Sequence, residues 1–368
     1  MPKVTVLDDI AAIKKIDKSD MLSFCTDAPK HYKRAATLAK KASAKLRKPE
    51  TIIVAGMGGS AIGGELLKDW ARDRIKVPIE VCRDYSLPAY ADKNTLVFVT
   101  SYSGETEESL SAFLDAVKRK CMTVCLSSGG KLREYADKFG FSHLLVPPGM
   151  APRATLPYLF MPLPVLLEQM GLVSGVRSEV SETVRILEQV SSDNSPKKPV
   201  GENFSKTLAS EVCGTIPVVY GFGIYRAAAQ RFKTQFNENS KVPAKWEFFP
   251  ELNHNEIVGW EGVKQLAKCF SVILIRDDNE TVTIKKRIEV TKELMHKESL
   301  KIHEVMAKGK NTMAKMASII CTGDFTSVYL AVLRGIDPTP VKTISFLKER
   351  LEQTGAKEKI IRELEKLV

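Results

Sequence analysis

The chain has 368 residues, 44% of them hydrophobic and 27% charged, the balance of a globular protein of about two domains. No apolar run reads as a membrane span and the N-terminus lacks a signal-peptide core, which points to the cytoplasm and away from a membrane partner. Much of the +11 formal charge sits in Lys30–Lys48, which reads as a basic helix with a solvated face; no nucleic-acid motif accompanies it, and a positive field suits anionic substrates.

Strand and helix alternate through the first half. Thr51–Ala55 is a β-rich run, and a helix follows over Ser60–Trp70. Ile79–Cys82 and Leu96–Thr100 read as strands. Residues 106–119 read as a helix with Leu110, Phe113, Leu114 and Val117 on one face. Met122–Leu126 and His143–Val146 are further strands. This alternation implies an α/β fold, with a mainly parallel sheet flanked by helices. Pro157–Met170 reads as an apolar helix and Val176–Val190 as an amphipathic one.

Asp193–Glu202 (DNSPKKPVGE) is polar and proline-rich, so the linker is placed at 193–202, between domains 1–192 and 203–368. The pattern then restarts. Thr215–Tyr220, Phe270–Ile275 and Leu300–Val305 read as strands, Tyr225–Asn237 and Val282–Met295 as helices, and Met313–Gly335 as helical at least in part. Thr339–Gln353 and Lys357–Leu367 are terminal helices. Two halves of similar size suggest a duplicated fold without a clear residue-level repeat.

The loop Ser101-Tyr102-Ser103-Gly104-Glu105-Thr106 joins a strand to a helix and carries four hydroxyls. Free N–H groups at a helix start, the helix dipole and added hydroxyl donors suit a phosphate; a plain Ser/Thr N-cap is the alternative. A second loop, Gly56-Met57-Gly58-Gly59-Ser60-Ala61-Ile62-Gly63-Gly64, also follows a strand. Gly56, Gly58 and Ala61 fit a dinucleotide spacing. The acidic residue that such a fold wants after its second strand is poorly placed, because Cys82 and Arg83 precede Asp84. Two polar loops closing on one small sugar phosphate fit better.

The seven cysteines are scattered, several of them in apolar runs, as expected of reduced and mostly buried thiols. Cys121 and Cys125 are four apart, but nothing completes a zinc site.

With these loops, three segments carry a resemblance: Met150–Tyr158 (MAPRATLPY), Arg231–Asn239 (RFKTQFNEN) and Pro250–Glu256 (PELNHNE). From about Gly56 to Lys348 the chain resembles the bifunctional phosphoglucose/phosphomannose isomerases, a branch of the phosphoglucose isomerase superfamily. The resemblance implies two sugar-isomerase (SIS) domains. It implies that Gly58, Gly59, Ser60, Ser101, Ser103 and Thr106 hold the substrate phosphate. It also implies a homodimer with shared active sites, the histidine crossing the interface, and no metal or other cofactor, which suits the dispersion of His31, His143, His254, His296 and His303.

Aldose–ketose isomerisation moves a proton between C1 and C2. A partly desolvated carboxylate at a helix end suits this task, and Glu238 is the candidate. Arg153 is the candidate for stabilising the enediolate charge. His254 suits ring opening, since imidazole can give and take protons near neutral pH. Lys348 matches a family lysine near the ring oxygen. The implied activity interconverts glucose 6-phosphate and mannose 6-phosphate with fructose 6-phosphate through a cis-enediol(ate); a non-catalytic SIS-domain sugar-phosphate sensor is the alternative.

Overall fold

Among the described residues (5–39, 46–262 and 264–368) of this computed structural model, nine strands form two sheets, both parallel throughout. The first holds β1 (Thr51–Ala55), β2 (Ile79–Cys82), β3 (Thr95–Thr100), β4 (Met122–Ser127) and β5 (Ser142–Leu145) in the order β2-β1-β3-β4-β5. The second holds β6 (Ile216–Phe222), β7 (Lys245–Phe249), β8 (Phe270–Arg276) and β9 (Lys301–Met306) in the order β7-β6-β8-β9. The shared order is the duplication that the alternating pattern anticipated.

The five-stranded unit comprises residues 31–178 and 341–368. Its central strands read as continuous apolar runs because helices cover both faces of a parallel sheet. Ile53, Val97, Val99 and Cys125 pack with Leu110 and Phe113 of helix Glu107–Lys118 and with Leu132 and Tyr135 of helix Gly130–Lys138. The final helix, Ala356–Glu365, covers the same cluster. It buries Leu364 completely, with Ile360 and Ile361 half-buried beside it; burying one such leucine is worth about 1.5–3 kcal/mol. Lys118–Glu363 and Lys357–Glu105 ion pairs flank the contact. The expected Pro157–Met170 helix is two helices, Leu156–Phe160 and Pro162–Gln169. The break falls at Pro162, which has no N–H to continue the ladder.

The four-stranded unit comprises residues 1–30 and 179–340. The division therefore differs from the one read at 193–202. Helix Val176–Asp193 runs into that segment, and the segment is bound into the unit rather than left as a tether. Tyr329 donates to the Asn194 carbonyl at 2.6 Å. The fully buried Lys206 ammonium donates to the carbonyls of Pro196 at 3.0 Å and Lys198 at 2.6 Å. Composition alone marks a proline-rich turn; these distant donors decide that it is tied to the unit, with Asn194 buried and most of the rest half-buried or exposed.

Helix Thr312–Leu333 is long and apolar enough to cross a membrane by length and composition, which corrects the reading that no run reaches that length; Lys315 and Asp324 interrupt the run in sequence. Its apolar window is 89% buried inside the unit, the state of a core helix. The basic helix expected over Lys30–Lys48 is Ala28–Leu38, and residues 40–45 lie outside the described ones. Strand β7 was not anticipated: it is a short edge strand whose KWEFF sequence is only partly buried and lacks clean alternation.

Candidate functional site

The two polar loops leave the carboxyl ends of β1 and β3, which are neighbours in the sheet. Chain progression reverses between these strands, so their carboxyl ends form the crevice where open parallel sheets take ligands. Helix Gly59–Ala71 starts after Gly58 and helix Glu107–Lys118 after Thr106, and neither N-cap side chain bonds the helix start. The plain N-cap alternative is thereby excluded for Thr106, whose hydroxyl instead accepts from Ser101 Oγ at 2.9 Å. Both helix starts present backbone donors toward the crevice, the arrangement that favours an anion.

Packing explains much of the glycine content. A Cβ on Gly56 would stand 2.3 Å from Thr100 Oγ1, one on Gly63 2.6 Å from the Leu159 carbonyl, and one on Gly64 2.7 Å from Val54 Cβ. These glycines bring strands and helices together, leaving Gly58 and Gly59 at the helix start. Gly104 has φ +70°, and a Cβ there would stand 1.9 Å from the Gly129 carbonyl oxygen. The hydroxyl loop thus lies directly on the loop after β4. Ser101 is buried, Ser60 and Thr106 are half-buried, and Ser103 is exposed. The Tyr102 N–H donates to Ser60 Oγ at 3.3 Å, linking the two loops. Asp84 accepts from the Tyr85 N–H at 2.7 Å, and Arg83 pairs with Glu65 at 2.6 Å.

Arg153 belongs to the same unit. It sits in the single turn Pro152–Thr155 and is 2% exposed, so it is not a surface arginine. Its Cα is 3.6 Å from the position a Cβ on Gly59 would take. Guanidinium stays charged when buried, and the Arg153 backbone lies against the glycine loop.

Glu238 lies in the four-stranded unit, in a π-helical turn, Phe236–Ser240, that continues helix Arg226–Gln235. Such turns are rare and concentrate at functional sites. The flanking side chains hold the turn down. Asn237 donates to the Val242 carbonyl at 2.8 Å, Asn239 to Ser327 Oγ at 2.9 Å, and Ser240 to the Ser327 carbonyl at 2.6 Å. Arg334 donates to the Ser240 and Lys241 carbonyls. Glu238 is half-buried.

His254 ends the turn Glu251–His254 after β7 and is exposed. Its neighbours do not satisfy it. Asn253 donates to Thr291 Oγ1 at 2.8 Å and Asn255 to Glu251 Oε1 at 2.6 Å. Nearby, Tyr220 donates to Glu256 and accepts from Trp260 Nε1 at 3.1 Å; burial raises the Glu256 carboxyl, with the Tyr220 bond opposing. Glu238 precedes β7 and His254 follows it, so the strand separates them. Lys348 is exposed on helix Lys342–Glu352, in the unit of the phosphate loops.

The structure therefore gathers Gly58, Gly59, Ser60, Ser101, Ser103, Thr106 and Arg153 in one unit and sets Glu238 and His254 in the other. The anchors Ser240 and Ser327 went unread in the sequence. The two asparagines flanking Glu238 were the available signal. In the second sheet, the loop that corresponds to the hydroxyl loop follows β8 and reads Asp277-Asp278-Asn279-Glu280. There Asp277 accepts from Lys315 at 2.9 Å, and Glu280 takes a two-pronged bond from Arg276. An anion would meet carboxylates at that position. Among the described residues, no group of three or more His, Cys, Asp or Glu is arranged to hold a metal.

Residues 201–351 match the family model described as the bacterial phospho-glucose isomerase C-terminal SIS domain. The chain is 39% identical to a bifunctional phosphoglucose/phosphomannose isomerase of Caldicellulosiruptor bescii, over 88% of this chain and 97% of that one. It is 36% identical to a protein of the same name from Aquifex aeolicus, over 82% and 90%. A solved hypothetical protein of Thermus thermophilus has the same fold, with a TM-score of 0.73 at 14% identity, over 94% of each chain.

Proposed function

The chain belongs to the bifunctional phosphoglucose/phosphomannose isomerase family, and from that premise we propose how its residues divide the work. It is an aldose–ketose isomerase that interconverts glucose 6-phosphate and mannose 6-phosphate with fructose 6-phosphate. Gly58, Gly59, Ser60, Ser101, Ser103 and Thr106 hold the phosphate. Two helix starts without side-chain caps, on adjacent strand ends, support this reading.

Glu238 takes the C2 proton of the open-chain aldose and returns it to C1. Arg153 holds the negative charge of the enediolate, and His254 moves protons between the ring oxygen and the C1 hydroxyl to open the ring. Lys348, exposed on its helix, is the cation placed beside the ring oxygen. Rotation about C2–C3 presents either face of the enediol, which lets both epimers be used. No metal or cofactor enters these steps.

The observation that carries the assembly is the separation of Glu238 from His254. Strand β7 spans roughly 16 Å at ordinary rise per residue, and C1, C2 and the ring oxygen of one sugar lie within a few bonds. We read Glu238 and His254 of one chain as serving different substrates, a homodimer supplying each substrate with the partner subunit's histidine; the intervening strand supports this reading. The free cysteines fit a reducing, cytoplasmic setting, and the activity fits carbohydrate metabolism. Neither nucleic acid nor membrane is proposed as a partner.

Fructose 6-phosphate formation is measured from glucose 6-phosphate and mannose 6-phosphate in parallel, with a chelator present. Turnover of both is expected. Loss of activity in chelator would overturn metal independence, and sugar-phosphate binding without turnover would replace the isomerase with a sensor.

A further inference from the structure

We propose that Tyr102 is a positioning residue that keeps Arg153 in register with the phosphate loops, an inference that rests on the isomerase reading above. Tyr102 lies inside the hydroxyl loop, where its backbone is fully committed. Its N–H donates to Ser60 Oγ at 3.3 Å. Its carbonyl accepts from the Ser128 N–H at 2.8 Å and the Ser128 hydroxyl at 2.7 Å.

The phenol reaches a fourth segment. Its hydroxyl accepts from the Met150 N–H at 2.8 Å and donates to the Pro147 carbonyl at 3.4 Å. Met150 stands shortly before the turn Pro152–Thr155 that carries Arg153. Pro147, Pro148 and Pro152 have no N–H, so few backbone donors remain in this stretch to tether it. One side chain thus joins the phosphate seat to the segment that presents the guanidinium. The charge that Arg153 must meet develops several atoms from the phosphate, and a displacement of about 1 Å can cost roughly a hundredfold in rate.

The conservative change Tyr102→Phe keeps the ring and every backbone bond and removes only the tether. Its kcat is expected to fall about 10- to 100-fold, while KM for glucose 6-phosphate and the inhibition constant of inorganic phosphate stay within about twofold of wild type. Combined with Arg153→Lys, the tyrosine change should lower kcat far less than it does alone, because its effect passes through the arginine. An unchanged kcat would overturn the proposal. So would full additivity with Arg153→Lys, or an activity loss that follows only a lower melting temperature. A rise in KM and in the phosphate inhibition constant with kcat preserved would place the hydroxyl in the phosphate seat itself and also overturn it. Wild-type turnover is measured first. Its absence would remove the isomerase reading, whereas an active wild type with an unaffected Tyr102→Phe removes only the role of Tyr102.

Discussion

Glu238 and His254 lie at opposite ends of strand β7: the π-turn that carries Glu238 enters the strand and the turn that carries His254 leaves it. In the proposed mechanism both residues act at one sugar, so each is expected to work with its counterpart on a second copy.

Subunit mixing tests this directly. Glu238→Gln and His254→Ala should each be inactive or nearly so as homodimers. Unfolded together and refolded in equal amounts, they form hybrids in which one site has both native residues. Random pairing should restore about a quarter of wild-type activity. No restored activity, with hybrids verified by mass, would put both groups at one site of a single chain.

Ser327 holds the turn that carries Glu238. Its hydroxyl accepts from Asn239 and its carbonyl from Ser240, the two residues that follow Glu238 in the same turn. Ser327→Ala removes the first bond, together with the hydroxyl's own donation to the Asp324 carbonyl at 2.8 Å, and keeps the bond from Ser240. The expected result is a kcat lowered about tenfold with KM retained, and a stability loss of about 0.5–1.5 kcal/mol. Steady-state kinetics and a denaturant melt separate the two effects.

Anion stoichiometry distinguishes the two sheets. The loop after β3 offers hydroxyls and free helix N–H groups, whereas the loop after β8 offers Asp277, Asp278 and Glu280. Calorimetric titration with a sugar phosphate should give one site per chain. Two equivalent sites would show that the acidic loop does not exclude phosphate.

Lys315 and Asp277 form a pair in which each side chain is 9% exposed. Burial alone would raise the Asp277 carboxyl. The Tyr225 hydroxyl, the Asn279 N–H and the Lys315 ammonium together outweigh burial and hold it below 3.8. A carboxyl depressed on folding adds stability above its unfolded value, and that stability is lost as pH falls through the folded value. Lys315→Met leaves the carboxylate with only the Tyr225 and Asn279 donors and should cost up to about 3–5 kcal/mol at neutral pH. That cost should shrink as pH falls, because protonation removes the buried carboxylate's charge in the variant and the ion pair in the wild type, which denaturant melts across pH would reveal.

Thiol reactivity should follow burial. Cys213 and Cys269 are exposed, and Cys25, Cys82, Cys121, Cys125 and Cys321 are buried. Burial pushes the Cys121 thiol up to about 11 and the Cys321 thiol up to about 12, with Cys25 and Cys125 also raised. A thiol-titrating reagent near pH 8 should label two cysteines quickly and all seven only after denaturation. Fast labelling of a third would reveal local opening.

By itself the sequence determined the alternation of strand and helix, the two polar loops after β1 and β3, and the residue types able to do isomerase chemistry. Those features are local. Hydrophobic periodicity sets an element's type, and a run of Ser, Thr and Gly at a helix start advertises free donors whatever lies around it. Tertiary structure decided what depends on residues far apart in the chain. Leu364 joins Leu110 and Phe113, which draws the last helices into the unit of the first sheet. The 193–202 segment is held to its unit because Lys206 and Tyr329 satisfy its carbonyls. Arg153 is a buried charge rather than a surface one, and Glu238 is aimed by a turn that Ser327 holds from another helix. Burial and hydrogen-bond partners are set by which distant groups meet, and one-dimensional spacing carries no record of those meetings.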